Sequence, residues 1–84
     1  MPIAFVLINS ELSFDVEIIV KIKEILSPEK DIQYEIQGVY GVYDIVLKIS
    51  SEDGTKLRKI VTTQIRKIDK VQSTLTMMVI EEQE

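Results

Sequence analysis

The sequence predicts an α+β fold in which two helices cover one face of a four-stranded antiparallel sheet. Three observations support this prediction. Segments of strand length that are either continuously apolar or alternate between apolar and polar residues occur at residues 3–8, 32–37, 43–49 and 71–80. Between the first and second runs, and between the third and fourth, apolar residues recur every three to four positions, which is the spacing of an amphipathic helix. The resulting order of strand, helix, strand, strand, helix, strand is the split βαβ pattern, known as the ferredoxin-like fold.

The first strand and the first helix follow from the first 28 residues. The apolar run Ile3–Ile8 lacks a basic leader and a small-residue cleavage site, so we predict a core strand and not a signal peptide. Residues 9–11 predict a turn, and Ser13 is the predicted N-cap of the helix. The helix ends at Ser27-Pro28, because the residue before proline disfavours the α region. Its predicted apolar stripe consists of Val16, Ile18, Ile19, Ile22, Ile25 and Leu26.

The second and third strands form a predicted hairpin around two glycines. Gly38 and Gly41 bound the predicted turn or bulge, because glycine has no Cβ to restrict the backbone. Asp44 falls inside the apolar run 43–49, where a carboxylate is usually paired or receives a ligand. The alternative is a tight hairpin in which the aspartate bonds its own loop. The residues of this hairpin alone leave both interpretations open.

The second helix and the last strand complete the predicted fold. Residues 50–53 predict a capping stretch, and Asp69-Lys70 predicts a short connection to the last strand at 71–80. The acidic residues 81–84 are expected to fray. No linker or repeat interrupts the chain, so we predict a single domain over residues 1–84. The predicted apolar stripe of the second helix consists of Leu57, Ile60, Val61, Ile65 and Ile68.

Composition limits the possible functions. The chain of 84 residues has no Cys and no His, so it lacks the commonest metal ligands and general base, and we predict no metal, cofactor or catalytic residue. A net charge of −4 argues against nucleic-acid binding, and we interpret the lysines and arginines at 56–70 as a solvated helix face. No apolar run approaches the ~20 residues of a membrane span. We therefore expect a soluble, cytoplasmic protein.

The first and last strands are apolar on both sides, so the sheet has a second apolar surface away from the helices. Two sheets facing each other in a dimer would bury it, with Val6 and Met78 in the interface. The alternative is a C-terminal segment that folds over the surface. If Asp44, Thr74 and Thr76 also face away from the helices, a carboxylate and two hydroxyls point toward this interface, where they suit an α-amino acid. The threonines are equally well explained by their β propensity.

Over Ile3–Glu81 the chain resembles the C-terminal effector domain of the Lrp/AsnC transcription regulators, often described as the regulator of amino acid metabolism domain. The residues that carry the resemblance are Gly41–Val46, which match the family's G-x-Y-D segment followed by apolar residues, and Val71–Val79, which match the closing strand with alternating hydroxyls. The resemblance implies a ferredoxin-like fold, dimers formed by sheet packing, rings of four dimers, and amino-acid effectors bound between dimers. By position, the implied ligand-binding residues are Gly41, Tyr43, Asp44, Thr74 and Thr76, with Val39 and Tyr40 as further candidates.

The chain departs from the family pattern in two respects. It begins at the effector domain's first strand, so we expect a stand-alone form or a fragment, without the family's helix-turn-helix and without direct DNA contact. The family's usual glycine before the last strand is replaced by Asp69-Lys70-Val71, which leaves the geometry of this loop open.

The resemblance favours an amino-acid-binding and oligomerisation module that modulates transcription, by associating with full-length Lrp/AsnC regulators or by sensing effector. A small dimeric ferredoxin-like enzyme is one alternative. Acylphosphatase-like chemistry would require an arginine in the first loop, where this chain has Asn9-Ser10-Glu11, and other enzymes of this fold mostly use histidine. An RNA-binding domain would need more aromatic residues and a basic surface. An ACT-like allosteric module is the nearest alternative, although the chain lacks a glycine-rich first loop.

Overall fold

The chain folds in the predicted order, and the computed structural model describes residues 2–80. The sheet order is β2-β3-β1-β4, with each neighbouring pair antiparallel, which confirms the predicted ferredoxin-like α+β class. The predicted acidic tail at 81–84 lies outside the described residues. Within residues 2–80 no helix is long and apolar enough to cross a membrane. The elements are β1 Ile3–Ser10, α1 Asp15–Leu26, β2 Ile32–Gly38, β3 Ile45–Ser51, α2 Gly54–Ile60 continued by a π-helical segment Val61–Ile65, and β4 Val71–Met78.

The hydrophobic core lies between the sheet and the two helices. Alternate residues of β1 and β3 are fully buried on the helix side, since successive side chains of a strand point to opposite faces. Burying a side chain of this size contributes roughly 1.5–3 kcal/mol. Most of the helix stripes predicted from the sequence supply the other half of the core. Ile19, Ile25 and Ile68 are only partly buried against it, and the prediction is wrong for Val16, which is 66% exposed. The core consists of Ala4, Val6, Ile8, Ile18, Ile22, Leu26, Ile32, Ile45, Leu47, Ile49, Leu57, Ile60, Val61 and Ile65.

The face of the sheet away from the helices is divided into an apolar half and a polar half. In β1, Phe5 lies opposite Met77 of β4, and Leu7 lies opposite both Leu75 of β4 and Val46 of β3. These five residues and Ile3 form what we call the apolar patch. Leu75 and Met77 are 45% and 46% exposed. The other half of this face, along β2, is polar and carries Gln33, Glu35 and Gln37.

The register overturns part of the face assignment made from the sequence. Val6 lies opposite Thr76, Ile8 opposite Thr74 and Ala4 opposite Met78, so all six residues share the helix side of the sheet. The expectation that Val6, Met78 and the two threonines face away from the helices is therefore wrong. Alternation along a strand shows which side chains share a face. When both faces of the strand are apolar, alternation cannot show which face packs against the helices.

The left-handed backbone positions are not at the glycines. Ser13 has φ of 71° and Lys70 has φ of 75°, whereas no glycine has a positive φ. The predicted N-cap role of Ser13 is wrong, because α1 begins after Phe14, which makes no side-chain cap. By contrast α2 is capped inside the predicted stretch, where Asp53 Oδ1 accepts hydrogen bonds from the Thr55 and Lys56 N–H groups at 3.0 and 3.1 Å.

A cluster of charges fastens α2 to the connection between α1 and β2. Lys56 Nζ lies 2.7 Å from Glu29 Oε1 and 2.8 Å from Asp31 Oδ1. The hydrogen bond from Lys56 holds the pKa of Asp31 below its ordinary value of 3.8. The hydrogen bonds to Asp31 and Glu29 raise the pKa of Lys56 well above its ordinary value. Both shifts favour the charged forms, so the pair stabilises the fold wherever both groups are ionised.

We expect Lys56→Gln to lower the melting temperature near neutral pH, because both contacts are lost. Because the pKa of Asp31 is lowered in the folded protein, ionised Asp31 stabilises the fold at any pH above its ordinary pKa of 3.8. This stability is lost as the pH falls through the lower pKa of the folded state. Because the pKa of Lys56 is raised in the folded protein, protonated Lys56 stabilises the fold at any pH below its ordinary pKa of 10.5. This stability is lost as the pH rises through the higher pKa of the folded state. The difference between wild type and variant should thus be constant from about pH 5 to about pH 9 and shrink below about pH 4. Thermal melts across pH check this, with Lys59→Gln on the exposed side of α2 as control; a difference that persists at acid pH would contradict it.

Candidate functional site

Two loops and the start of β4 meet at one edge of the sheet and form an open groove of about 450 Å³. The β1–α1 loop supplies one wall, and the β2–β3 loop, which contains the G-x-Y-D segment, supplies the other. Of the residues predicted from the sequence, the groove contains Asp44, Val39 and Tyr40, but not Gly41, Tyr43, Thr74 or Thr76. The complete lining is Ser10, Glu11, Leu12, Ser13, Asp15, Val39, Tyr40, Asp44 and Gln72.

Asp44 is half-buried and ties the two walls of the groove together. Its Oδ2 atom accepts hydrogen bonds from the Ser10 N–H at 2.9 Å and the Ser10 hydroxyl at 3.4 Å. Its own N–H donates to the Ile8 carbonyl at 3.0 Å, and its carbonyl accepts from the Val39 N–H at 2.8 Å. The β1–β4 register shifts between Asn9 and Ser10, so the carboxylate serves a backbone N–H at an irregularity in β1. Within residues 2–80 these side-chain bonds all fall on Oδ2, and Oδ1 remains for another donor.

The two threonines stand apart from Asp44. Thr74 lies opposite Ile8 and Thr76 lies opposite Val6, with β1 between them and β3. Two strand spacings separate backbones by roughly 10 Å, so Thr74 and Asp44 do not bind one small group together within a single chain. Gly41 is exposed, with open space where a Cβ would lie, and Tyr43 is half-buried just before β3.

Sequence reasoning missed the contribution of the β1–α1 loop. Ser10, Ser13 and Asp15 line the groove, although the sequence suggested only a turn and a helix cap for this region. The available signal was the polar run that directly follows the apolar part of β1, because polar residues at a strand end meet the other loops of that sheet edge.

The groove is acidic. Of the residues that the structure describes, Glu11, Asp15 and Asp44 line it, and no lysine or arginine does. The first turn of α1 adjoins these carboxylates, and its backbone N–H groups have no acceptor within the helix. The groove therefore offers carboxylates to an ammonium group. Within residues 2–80 no group of three or more acidic side chains is placed to hold a metal ion.

Large apolar side chains surround the groove and point to solvent. Leu12 is 90% exposed and Val42 is 86% exposed, and Tyr40 is fully exposed. On the adjoining side of α1, Val16 and Val20 lie one helical turn apart and are also exposed. Exposed apolar residues that cluster around a polar groove mark an interaction surface. A single chain thus leaves the rim of this groove uncovered.

We expect Asp44→Ala to lower the free energy of unfolding by about 1–3 kcal/mol, because the Ser10 N–H loses its acceptor. Asp44→Asn retains an oxygen acceptor and should cost less than about 1 kcal/mol. Urea unfolding of the three proteins measures these differences. Equal stability of Asp44→Ala and wild type would show that the Ser10 contact does not support the fold.

Comparison with known proteins identifies the family. The family model described as the Lrp/AsnC ligand binding domain matches residues 4–83. A hypothetical protein from Pyrococcus horikoshii is similar in structure, with 30% identity and a TM-score of 0.74 over 98% of this chain and 93% of that one. No curated protein matches the chain.

Two larger regulators share the fold. AsnC from E. coli is 22% identical, with a TM-score of 0.75 over 96% of this chain and 52% of AsnC. A transcriptional regulator from Neisseria meningitidis, solved as a complex with L-methionine, is 13% identical, with a TM-score of 0.71 over 99% of this chain and 52% of the regulator. The chain thus spans about half the length of each regulator. Because the family model covers nearly the whole chain, this protein belongs to the Lrp/AsnC ligand binding domain family, as the G-x-Y-D segment and the closing strand indicated.

Proposed function

We propose that this chain is an amino-acid-binding and oligomerisation module that modulates transcription, and that it binds a free α-amino acid in the groove beside Asp44. The observation that carries the proposal is the half-buried Asp44 carboxylate, whose Oδ1 remains available in a groove formed by the G-x-Y-D segment. The family supports it, since the matching model is a ligand-binding domain and a similar regulator was solved with L-methionine.

The chemistry of the groove suits the ammonium end of an amino acid. Asp44 is held in place by Ser10, so it loses little side-chain freedom when it binds a ligand. Asp15 lies in the same groove and adds a second negative charge. The carboxylate end of the ligand would meet the N–H groups in the first turn of α1, where the helix dipole favours an anion.

A second copy of the chain would complete this site. Leu12, Tyr40 and Val42 present apolar surface beside the groove, and covering it would exclude water from the Asp44 carboxylate. Hydrogen bonds to a charged group are stronger in such a dry environment. Thr74 and Thr76, which do not reach Asp44 within one chain, would contribute only from a neighbouring copy.

The apolar patch on the sheet supports dimerisation through facing sheets. Phe5, Leu7, Leu75 and Met77 lie next to one another across β1 and β4, and no helix within residues 2–80 covers them. Two such patches facing each other would bury apolar surface, and the polar side chains of β2 would remain at the rim. Association of dimers through the groove rims would give larger rings, such as four dimers. The same two surfaces would let the chain join a full-length Lrp/AsnC regulator, and this is how we propose that it modulates transcription.

The family is one of regulatory ligand-binding domains and not of enzymes.

We expect Asp44→Asn to weaken binding of the best amino-acid ligand about 100-fold, or ~2.7 kcal/mol, because the amide cannot accept the ammonium group while its oxygen stays on Ser10. A thermal-shift screen of the twenty amino acids identifies the ligand, and calorimetry measures the affinities. Asp53→Asn is the matched control, since it makes the same chemical change at the cap of α2, away from the groove.

Two outcomes would contradict the amino-acid proposal. Equal affinities of wild type and Asp44→Asn would show that Asp44 serves only the loop. If none of the twenty amino acids binds, the chain would be an oligomerisation module that does not sense an amino acid.

We expect the wild type to be a dimer or larger at micromolar concentration and Met77→Asp to be a folded monomer. The substituted carboxylate would lie in the middle of a dry interface, whereas in the single chain Met77 is outside the core. Sedimentation velocity measures the masses, with Gln37→Asp on the polar half of the same sheet face as control. A monomeric wild type would refute dimerisation through the sheet.

A further inference from the structure

A second cavity, of about 290 Å³, lies on the other side of the β1–α1 loop from the groove. It opens between α1 and the connection that leads from the π-helical segment into β4. It shares no lining residue with the groove, so the two are separate spaces. Its lining consists of Phe14, Glu17, Lys21, Ile25, Ile68, Asp69 and Lys70.

The floor of this cavity is apolar. Phe14, Ile25 and Ile68 are partly buried and pack against the hydrophobic core, so they offer fixed apolar surface. Small-molecule pockets usually measure ~300–1,000 Å³, and this cavity, at about 290 Å³, is just below the lower limit of that range. Its size therefore fits a molecule such as a single amino acid and not a nucleotide cofactor.

The rim of the cavity carries balanced charge. The lining includes two ammonium groups, on Lys21 and Lys70, and two carboxylates, on Glu17 and Asp69. The nearest carboxylates to the two ammonium groups lie outside the lining, with Lys21 Nζ 3.7 Å from Glu24 Oε2 and Lys70 Nζ 4.0 Å from Glu11 Oε2. Among the described residues, by contrast, the charged side chains that line the groove are all carboxylates, one of which, Glu11, lies 4.0 Å from Lys70 Nζ. A rim with both signs of charge favours a zwitterion over a net anion or a net cation, since each end of the ligand finds an opposite charge.

Lys70 lines this cavity, and its backbone is strained. Its φ of 75° is a conformation that glycine adopts freely and lysine rarely does. Lys70 Nζ lies 5.0 Å from the centroid of the Phe14 ring and 4.0 Å from Glu11 Oε2. The Lys70 carbonyl accepts a hydrogen bond from the Glu11 N–H at 2.8 Å, which fixes the strained residue against the β1–α1 loop. The strain thus places a cation at the edge of the apolar floor.

We propose that this cavity is a second binding site, for an α-amino acid with an apolar side chain. The ligand's carboxylate pairs with Lys70 and Lys21, its ammonium group pairs with Glu17 and Asp69, and its side chain packs on Phe14, Ile25 and Ile68. This inference does not require that the groove beside Asp44 binds a ligand, because the two spaces share no side chain.

The test titrates the protein with L-leucine, L-isoleucine, L-valine, L-methionine and L-phenylalanine, while amide chemical shifts report where each ligand binds. We expect shifts at residues 68–70 and at Phe14, and an affinity at least tenfold lower in Lys70→Asn. Asparagine tolerates the left-handed conformation, so this variant keeps the loop and removes the ammonium group. Lys67→Asn, which lines neither space, should bind like wild type. Lys21→Gln, on the exposed surface of α1, should also weaken binding and carries little risk to folding.

Two analogues of leucine test the charge pairing. 4-Methylpentanoate lacks the ammonium group and 3-methylbutylamine lacks the carboxylate, and each should bind at least tenfold more weakly than leucine. An analogue that binds as tightly as leucine would overturn the zwitterion pairing. An unchanged affinity of both lysine variants would overturn the site.

The Asp44→Asn variant separates this inference from the proposed function. Shifts at residues 68–70 that persist in Asp44→Asn support an independent second site. Shifts confined to residues 39–44 for all five amino acids would overturn the second site and leave the groove as the binding site. Shifts at residues 68–70 alone would support the second site and count against the groove.

Discussion

The structure depends on β1, a central strand that is apolar on both of its faces. On the helix side, Ala4, Val6 and Ile8 are completely buried and join both helices to the sheet. On the other side, Phe5 and Leu7 lie among Val46, Leu75 and Met77, where neither of the helices in the described part of the chain covers them. In a monomer whose helices cover only one face of the sheet, the second apolar face of such a strand would remain in water, which is energetically unfavourable. The same strand that forms the core therefore also creates the surface for association.

Asp44 connects the fold with the candidate site. One of its carboxylate oxygens supports the irregular end of β1 through Ser10, and this bond holds the β2–β3 loop against the β1–α1 loop. The interpretation as a turn residue and the interpretation as a ligand residue are compatible, because a carboxylate has two oxygens. A side chain fixed in this way by the fold is preorganised for a ligand.

The β1–α1 loop is the wall between two spaces of different chemistry. The groove on one side is acidic, and the cavity on the other side combines an apolar floor with charges of both signs. Two residues with left-handed backbone, Ser13 and Lys70, are found in the part of the chain that the structure describes, and they lie in this loop and directly against it. Non-glycine residues persist in left-handed conformations only where the surrounding contacts hold them, and such strain is concentrated at functional sites. Here the contacts are the Glu11–Lys70 backbone bond and the stacking of Lys70 on Phe14.

The sequence by itself determined the order of the elements, the helix stripes apart from the exposed Val16, and the family. These features are local, because hydrophobic periodicity and the G-x-Y-D segment lie within short stretches of chain. The ends of some strands differ from the sequence prediction. The third strand begins at Ile45 and not at Tyr43, and Asn9 and Ser10 belong to β1 and not to a turn.

Only the tertiary structure decided which side of β1 and β4 faces the helices, and this placed Val6, Thr74, Thr76 and Met78 on the helix side. It also decided that Ser10 is the partner of Asp44, a contact between residues 34 positions apart. It showed that Lys70 takes the conformation expected of a glycine. The physical reason is the same in each case: facing, pairing and strain depend on contacts between distant segments, and local sequence does not encode them.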